Sequence, residues 1–202
     1  MLTITQTSTP TFRHFSGHNS FGTGKHGTAK NNRANASSKS KRGSAPALIL
    51  SALMQDNRIS VLFADDDPDD RDLFEEAVAE LHANIELNLF KDGVQLMEFL
   101  NKKDCVLPDI IFLDLNMPVK DGKECLREIR ENNALMNIPV VIYTTTNSVK
   151  DVDETFSLGA NLFARKPTSY KNVVQLAKQI FMLNWADYQP KHSKKNYVFT
   201  LK

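Results

Sequence analysis

Four groups of charged or hydroxyl side chains each follow an apolar stretch of strand length. Clustered carboxylates repel one another, and a hard divalent cation such as Mg²⁺, which prefers oxygen ligands, relieves that repulsion. A lysine offers positive charge to an anion, and a hydroxyl offers it a hydrogen bond. Together these groups suit in-line phosphoryl transfer to an aspartate, where catalysis is mostly positioning and charge neutralisation. The residues are Asp65, Asp66, Asp67, Asp114, Thr144, Thr145, Thr146 and Lys166.

Taken singly, most of these residues have an ordinary structural explanation. The acids of residues 65–70 could form a solvated turn and helix start, where negative charge is favoured by the helix dipole. Asp114 is harder to explain in this way, because it follows the apolar run of residues 110–113 and must find a partner or face a cleft. The functional interpretation therefore depends on the joint placement of all four groups.

The elements that must position these groups alternate regularly along the chain. Short apolar runs predict strands at residues 59–64, 86–90, 110–115, 138–143 and 162–164, and each is followed by a helical period. This alternation predicts an α/β, flavodoxin-like (βα)5 doubly wound parallel sheet with strand order 2-1-3-4-5. Ligands of such sheets bind beyond the carboxyl ends of the strands, where the four groups would converge.

Composition divides the chain into three parts. Residues 1–54 are predicted to be a disordered basic tail, residues 55–186 a single domain, and residues 187–202 a short C-terminal tail. The apolar end of that tail, residues 197–201, could add to a sheet edge or mediate dimerisation, but we expect it to fray. Met54 precedes the first strand closely enough to suggest that translation begins there. The stretch 45–186 has a net charge of −9, which argues against direct nucleic-acid binding by the domain itself.

The cysteines and the apolar runs limit the cellular setting. Cys105 and Cys125 have no zinc-ligand spacing, and we expect two reduced thiols. No apolar run approaches the roughly 20 residues that span a bilayer. These features favour a cytoplasmic protein without a membrane segment.

Four separated motifs resemble the bacterial response-regulator receiver family, of the stand-alone, CheY-like type. They are Val-Leu-Phe-Ala-Asp-Asp-Asp-Pro at 61–68, Phe-Leu-Asp-Leu-Asn-Met-Pro at 112–118 with Asp-Gly at 121–122, Thr-Thr at 144–145, and Lys-Pro at 166–167. The resemblance covers about residues 57–184. It implies a two-component phosphorelay protein that accepts a phosphoryl group from a histidine kinase or a phosphotransfer protein.

The resemblance also implies roles for individual residues. Asp114 would be the phosphoacceptor, and Lys166, with a cis bond to Pro167, would contact the phosphoryl group. Mg²⁺ would be bound by Asp66, with Asp65 partly through water, together with Asp114 and the backbone carbonyl of Asn116.

Signalling roles follow from the same resemblance. Thr144 would move toward the phosphoryl group and draw Phe163 inward, which changes the surface that an unknown downstream protein contacts. Asn116 and Thr146 would tune the lifetime of the phosphoryl group. Such a chain is a phosphoacceptor with slow self-dephosphorylation rather than an enzyme, and it could form a homodimer.

Two alternatives of a different class stay open. A haloacid-dehalogenase-like Mg²⁺-dependent phosphatase also uses aspartates after its first strand, and Asp65 and Asp67 fit its Asp-x-Asp motif. That family needs a late acidic pair, and none follows the fourth or fifth predicted strand. A receiver-fold scaffold that is never phosphorylated is the other alternative. A flavodoxin is disfavoured because acids in the first loop would repel the flavin phosphate.

Overall fold

The structure, a computed structural model, describes residues 58–190 and 194–201 of the 202-residue chain. The expectations of a disordered tail over residues 1–54 and of a start at Met54 lie outside the described residues.

Strands and helices alternate as the apolar pattern predicts. The strands are β1 Ile59–Ala64, β2 Ile85–Phe90, β3 Ile110–Leu113, β4 Val140–Thr144, β5 Leu162–Arg165 and β6 Val198–Phe199. The α-helices are α1 Pro68–Glu80, α2 Gly93–Leu100, α3 Gly122–Glu131, α4 Val149–Leu158 and α5 Tyr170–Phe181. Short 3₁₀ helices lie at Trp185–Asp187 and Lys194–Asn196.

The strands form one parallel sheet in the order β2-β1-β3-β4-β5-β6. This confirms the flavodoxin-like fold and the predicted order of the first five strands. Helices α2, α3 and α4 cover one face, and α1 and α5 cover the other. The central strands β3 and β4 are fully buried, as a sheet covered on both faces requires.

Local capping explains where the helices that flank the site begin. Asp67 is the N-cap of α1 and accepts a hydrogen bond from the N–H of Asp69, with Pro68 at the first helical position. Asp121 starts α3 with a capping box in which Glu124 is the reciprocal partner. The caps fix the helix starts just beyond the ends of β1 and β3.

Residues 194–201 pack onto the sheet, so the alternative of addition to a sheet edge is confirmed and the fraying expected for this end is wrong. Strand β6 pairs parallel with β5, and the side chain of Tyr197 is 1% exposed. The hydroxyl of Tyr197 donates to Oγ1 of Thr155 at 2.7 Å, and its ring packs against Phe156. Burial of one large aromatic ring with a satisfied hydroxyl stabilises a strand that is too short to be stable by itself.

Candidate functional site

Three carboxylates meet where β1 and β3 end. The strands are paired so that Ala64 is opposite Leu113, and the N–H of Asp114 donates to the carbonyl of Ala64 at 2.9 Å. The next residues, Asp65 and Asp114, are therefore brought side by side, and both are buried. Asp66 is exposed at the rim, and carboxylate oxygens of Asp65, Asp66 and Asp114 lie within 4.8 Å of one another. The sequence-based grouping of these residues matches the geometry.

Lys166 enters the same pocket from the end of β5. Its backbone N–H donates to the carbonyl of Thr144 at 2.9 Å, and its side chain is 8% exposed. The ammonium lies 2.7 Å from Oδ2 of Asp65, 2.8 Å from Oδ2 of Asp70 and 3.6 Å from Oδ1 of Asp114. It also lies 5.9 Å from the centre of the Tyr143 ring. The Lys166–Pro167 bond is trans, so the expectation of a cis bond is wrong. The trans isomer is the one that X–Pro bonds generally favour.

Burial raises the free energy of the charged side chains in this pocket. Desolvation, opposed in part by Lys166, raises the pKa of Asp65 from 3.8 to about 6. Burial works against the charged form of Lys166, but its short contacts with Asp65 and Asp70 and its attraction to Asp114 outweigh this and raise the pKa of its ammonium. Of these two groups, Asp65 is therefore the one whose ionised form is disfavoured on balance.

A divalent cation fits these residues. Oδ2 of Asp65 is buried and, although it lies close to the ammonium of Lys166, it has no well-aligned hydrogen bond. A buried carboxylate oxygen that lacks an aligned hydrogen bond, beside two further carboxylates, belongs to the oxygen-rich donor set that Mg²⁺ prefers. Such an ion would supply charge neutralisation and orient a phosphoryl oxygen.

The loop after β3 holds the carboxylate of Asp114 in place. The N–H of Asn116 donates to Oδ2 of Asp114 at 2.8 Å, so one carboxylate oxygen is fixed by the backbone. Gly122 packs against this loop, and a Cβ there would collide with the carbonyl oxygen of Asp114. Glycine at this position allows α3 to approach the phosphoacceptor candidate closely.

Apart from Asn116 in the loop after β3, the predicted switch and lifetime residues lie on β4, β5 and the loop between β4 and α4. Thr144 is fully buried at the end of β4, and Thr146 lies two residues on. The hydroxyl of Thr146 donates to Oδ2 of Asp151 at 3.0 Å, and Lys123 holds the other oxygen of that carboxylate at 2.7 Å. The loop is therefore tied to α4, and through Lys123 to α3.

Phe163 is buried on β5, next to the C-terminal strand. Its N–H donates to the carbonyl of Tyr197 at 2.8 Å, and the two ring centres are 6.2 Å apart. Two residues that contact the predicted site residues are not predicted from the sequence. Tyr197 was assigned to a fraying tail, and Asp70 was treated as part of a solvated helix start. Neither has a local signal, because Tyr197 and Asp70 meet partners 42 and 96 residues away.

The most obvious cavities lie away from this site. A cavity of about 800 Å³ opens at the opposite end of the sheet, beside Cys105 and Asp109. Acids and lysines also line this cavity, but among the described residues the acids that come close enough to one another to hold a metal ion are Asp65, Asp66 and Asp114 at the strand ends. Within the described residues, no helix is long and apolar enough to cross a membrane.

Comparison with known proteins gives a consistent picture. A model of the response regulator receiver domain matches residues 61–178. Response regulator Rcp1 of Synechocystis sp. is 33% identical over 124 residues, which cover 59% of this chain and 84% of Rcp1. The probable methanogenesis regulatory protein FilR2 of Methanothrix harundinacea is 31% identical over 100 residues, which cover 47% of this chain and 64% of FilR2.

Solved structures agree with the sequence comparison. The Mn²⁺-bound form of Rcp1 superposes with a TM-score of 0.56 at 32% identity, covering 60% of this chain and 91% of that one. The phosphorylated cyanobacterial phytochrome response regulator RcpA gives a TM-score of 0.58 at 31% identity, covering 61% and 91%. Since the family model spans more than half of the chain and both structures are receivers, this chain belongs to the response regulator receiver domain family.

Proposed function

We propose that this chain accepts a phosphoryl group on Asp114, with Mg²⁺ bound by Asp65, Asp66, Asp114 and the backbone carbonyl of Asn116. The observation that carries the proposal is the position of the Asp114 carboxylate. It is buried beside two further acids, with the ammonium of Lys166 at 3.6 Å. The manganese-bound and phosphorylated states named for Rcp1 and RcpA support the same chemistry for this chain.

The charges of the pocket account for its dependence on a cation. Asp65, Asp66, Asp70 and Asp114 offer four negative charges against the single positive charge of Lys166, so one divalent ion reduces the net charge of these groups from −3 to −1. An incoming phosphoryl group then meets a much less repulsive site. Lys166 and the hydroxyl of Thr144 would hydrogen-bond its oxygens.

The transfer itself is a simple displacement. A carboxylate oxygen of Asp114 attacks the phosphorus of a phosphohistidine on a histidine kinase or phosphotransfer protein. The O–P bond forms as the P–N bond breaks, and the imidazole leaves with the electron pair. The chain takes up one phosphoryl group in this way, with slow self-dephosphorylation, and does not turn over substrate as an enzyme does.

Phosphorylation would be transmitted to a partner protein by a conformational change at Thr144 and Phe163. Movement of Thr144 toward the phosphoryl group would alter the packing of Phe163 on β5, and with it the surface presented to a downstream protein. Asn116 and Thr146 border the phosphoryl position and would set how long it lasts. Formation of a homodimer stays a prediction, which sedimentation before and after phosphorylation tests.

Acetyl phosphate is the direct test of uptake. We expect intact-mass analysis to show one added phosphoryl group that requires Mg²⁺ and is acid-stable but base-labile. Asp114→Asn abolishes it, whereas Asp104→Asn, an exposed acid in the α2–β3 loop, leaves it unchanged. Turnover of many equivalents of a phosphate ester would favour the haloacid-dehalogenase-like phosphatase. No uptake at all, with a folded protein, would favour a scaffold.

A further inference from the structure

Lys166 is oriented by an acid outside the predicted metal and phosphoacceptor set. Among the described residues, its ammonium makes one well-aligned side-chain hydrogen bond, and the acceptor is Oδ2 of Asp70 at 2.8 Å. The contact with Asp65 is as short, but its geometry is not that of a hydrogen bond. Asp114 lies at 3.6 Å, beyond hydrogen-bond reach.

The placement of Asp70 is a consequence of how α1 starts. Asp67 caps the helix, and Asp70 falls in its first turn, on the side that faces the end of β5. An acid in a first helical turn has an ordinary explanation in the helix dipole. That explanation does not account for its partner, since Lys166 is 96 residues away and nearly buried, so the pair is a tertiary contact between α1 and the pocket.

The metal and the lysine compete for the same carboxylate. Oδ2 of Asp65 lies 2.7 Å from the ammonium of Lys166, and Asp65 also belongs to the group of three carboxylates that could hold a cation. When a cation takes Asp65, it withdraws the attraction of that carboxylate for Lys166 and repels the ammonium. A second anion must then retain the lysine in the pocket, and Asp70 is placed to do so.

We propose that Asp70 is a positioning residue that holds the ammonium of Lys166 beside Asp114 once Mg²⁺ occupies the acidic pocket. The ammonium has three N–H donors, so one can stay on Asp70 while another reaches a phosphoryl oxygen. Asp70 contacts the lysine and needs no contact with the metal or the phosphoryl group. This inference rests on the proposed function and adds to it the residue that orients the lysine.

Beryllofluoride, an analogue of the aspartyl phosphoryl group, is the probe, titrated by calorimetry into protein saturated with Mg²⁺. The variants are Asp70→Asn, which keeps the shape and removes the charge, and Asp70→Glu, which restores it. Asp69→Asn is the matched control, because it removes the same charge from the same helical turn at an exposed position. We expect Asp70→Asn to weaken beryllofluoride binding about tenfold, as loss of a charged hydrogen-bond partner predicts. Asp70→Glu recovers part of that affinity and Asp69→Asn behaves as wild type.

Two further measurements separate positioning from a general structural effect. Mg²⁺ affinity without beryllofluoride should change less than about threefold in Asp70→Asn, since the metal ligands are intact. The ¹⁵N signal of the Lys166 ammonium, in Mg²⁺-loaded protein without any phosphoryl analogue, should be detectable by NMR in wild type and Asp69→Asn. It should be lost to solvent exchange in Asp70→Asn.

The possible results distinguish failure of this inference from failure of the proposed function. Equal behaviour of Asp70→Asn and Asp69→Asn, in affinity and in the ammonium signal, overturns the inference while leaving phosphoryl uptake intact. Equal losses of Mg²⁺ and beryllofluoride binding also overturn it, because Asp70 would then act on the metal. If wild type itself fails to bind beryllofluoride with Mg²⁺, the proposed function falls and this inference falls with it.

Discussion

Replacing Asp65 by asparagine should make the metal-free protein more stable. Asp65 is fully buried, and its pKa is raised from 3.8 to about 6, mainly because burial penalises its charge. This pKa already includes the attraction of Lys166, so it measures the net effect of ionising Asp65 in the folded chain. The neutral amide of asparagine imitates the protonated acid in nearly the same volume.

The size of the effect follows from the pKa. A rise from 3.8 to about 6 means that, at pH 8, ionisation of Asp65 costs the folded state about 3 kcal/mol relative to the unfolded state. An amide carries its own desolvation cost, so we expect a gain of about 1–3 kcal/mol. For a domain of this size that is a rise in Tm of roughly 2–10 °C.

The pH dependence has a definite sign. A folded-state pKa above the unfolded value means that the folded protein binds the proton more tightly, so wild type loses stability as pH rises from about 4 to about 6. Asp65→Asn does not titrate at this position. Its advantage should therefore be largest above pH 6 and vanish below about pH 4.

Thermal unfolding in EDTA at a series of pH values is the assay, repeated with Mg²⁺. Asp66→Asn is the control, because Asp66 belongs to the same acidic cluster but is exposed, so its metal-free stability should stay within about 0.5 kcal/mol of wild type. Mg²⁺ should stabilise wild type, by about 2.7 kcal/mol at a hundredfold excess over Kd, and stabilise both variants less. An Asp65→Asn protein that is less stable than wild type in EDTA at pH 8 would refute the reasoning.

Three other substitutions test separate parts of the structure. Tyr197→Ala should lower the free energy of unfolding in urea by about 3–5 kcal/mol because the ring is buried, and Tyr197→Phe should lower it by about 1 kcal/mol because the hydroxyl donates to Thr155. An alanine variant as stable as wild type would mean that the C-terminal strand frays. Val119→Gly should raise stability by about 0.5–1 kcal/mol, because this exposed valine has φ +68°, and a lower Tm would contradict that conformation. Gly122→Ala should lower the free energy of unfolding by about 1–3 kcal/mol and weaken Mg²⁺ binding in calorimetry, because the added Cβ would collide with the Asp114 carbonyl oxygen. Unchanged Mg²⁺ binding would show that this loop does not contribute to the metal site.

Features of the fold that have a local chemical cause can be predicted from the sequence. Asp67 and Asp92 cap α1 and α2, and Gly159 ends α4 with φ +98°, because capping and left-handed backbone depend on one or two residues. Strand order follows from alternation and handedness, which are also readable along the chain. Once the order is known, the meeting of Asp65 and Asp114 follows from the parallel sheet.

What the sequence does not predict depends on partners far along the chain. Strand β6 has two residues and follows a 3₁₀ helix with two lysines, so local propensity favours a frayed end. Its docking depends on a pocket for Tyr197 that only the packed α4 and β5 create. The Asp70–Lys166 pair is similar, because nothing near Asp70 distinguishes it from Asp69 until the fold brings Lys166 to it.

The same observation links stability and function at this site. In the metal-free chain one oxygen of Asp65 is buried without a well-aligned hydrogen bond, although the ammonium of Lys166 lies 2.7 Å from it, and burial raises the pKa of the same carboxyl. A site optimised for stability would bury an apolar residue there or give the oxygen an aligned hydrogen bond. This arrangement is expected if a cation binds the oxygen, so Asp65→Asn should gain stability and lose cation response together. A variant that gained stability and kept the full cation response would show that Asp65 is not a ligand.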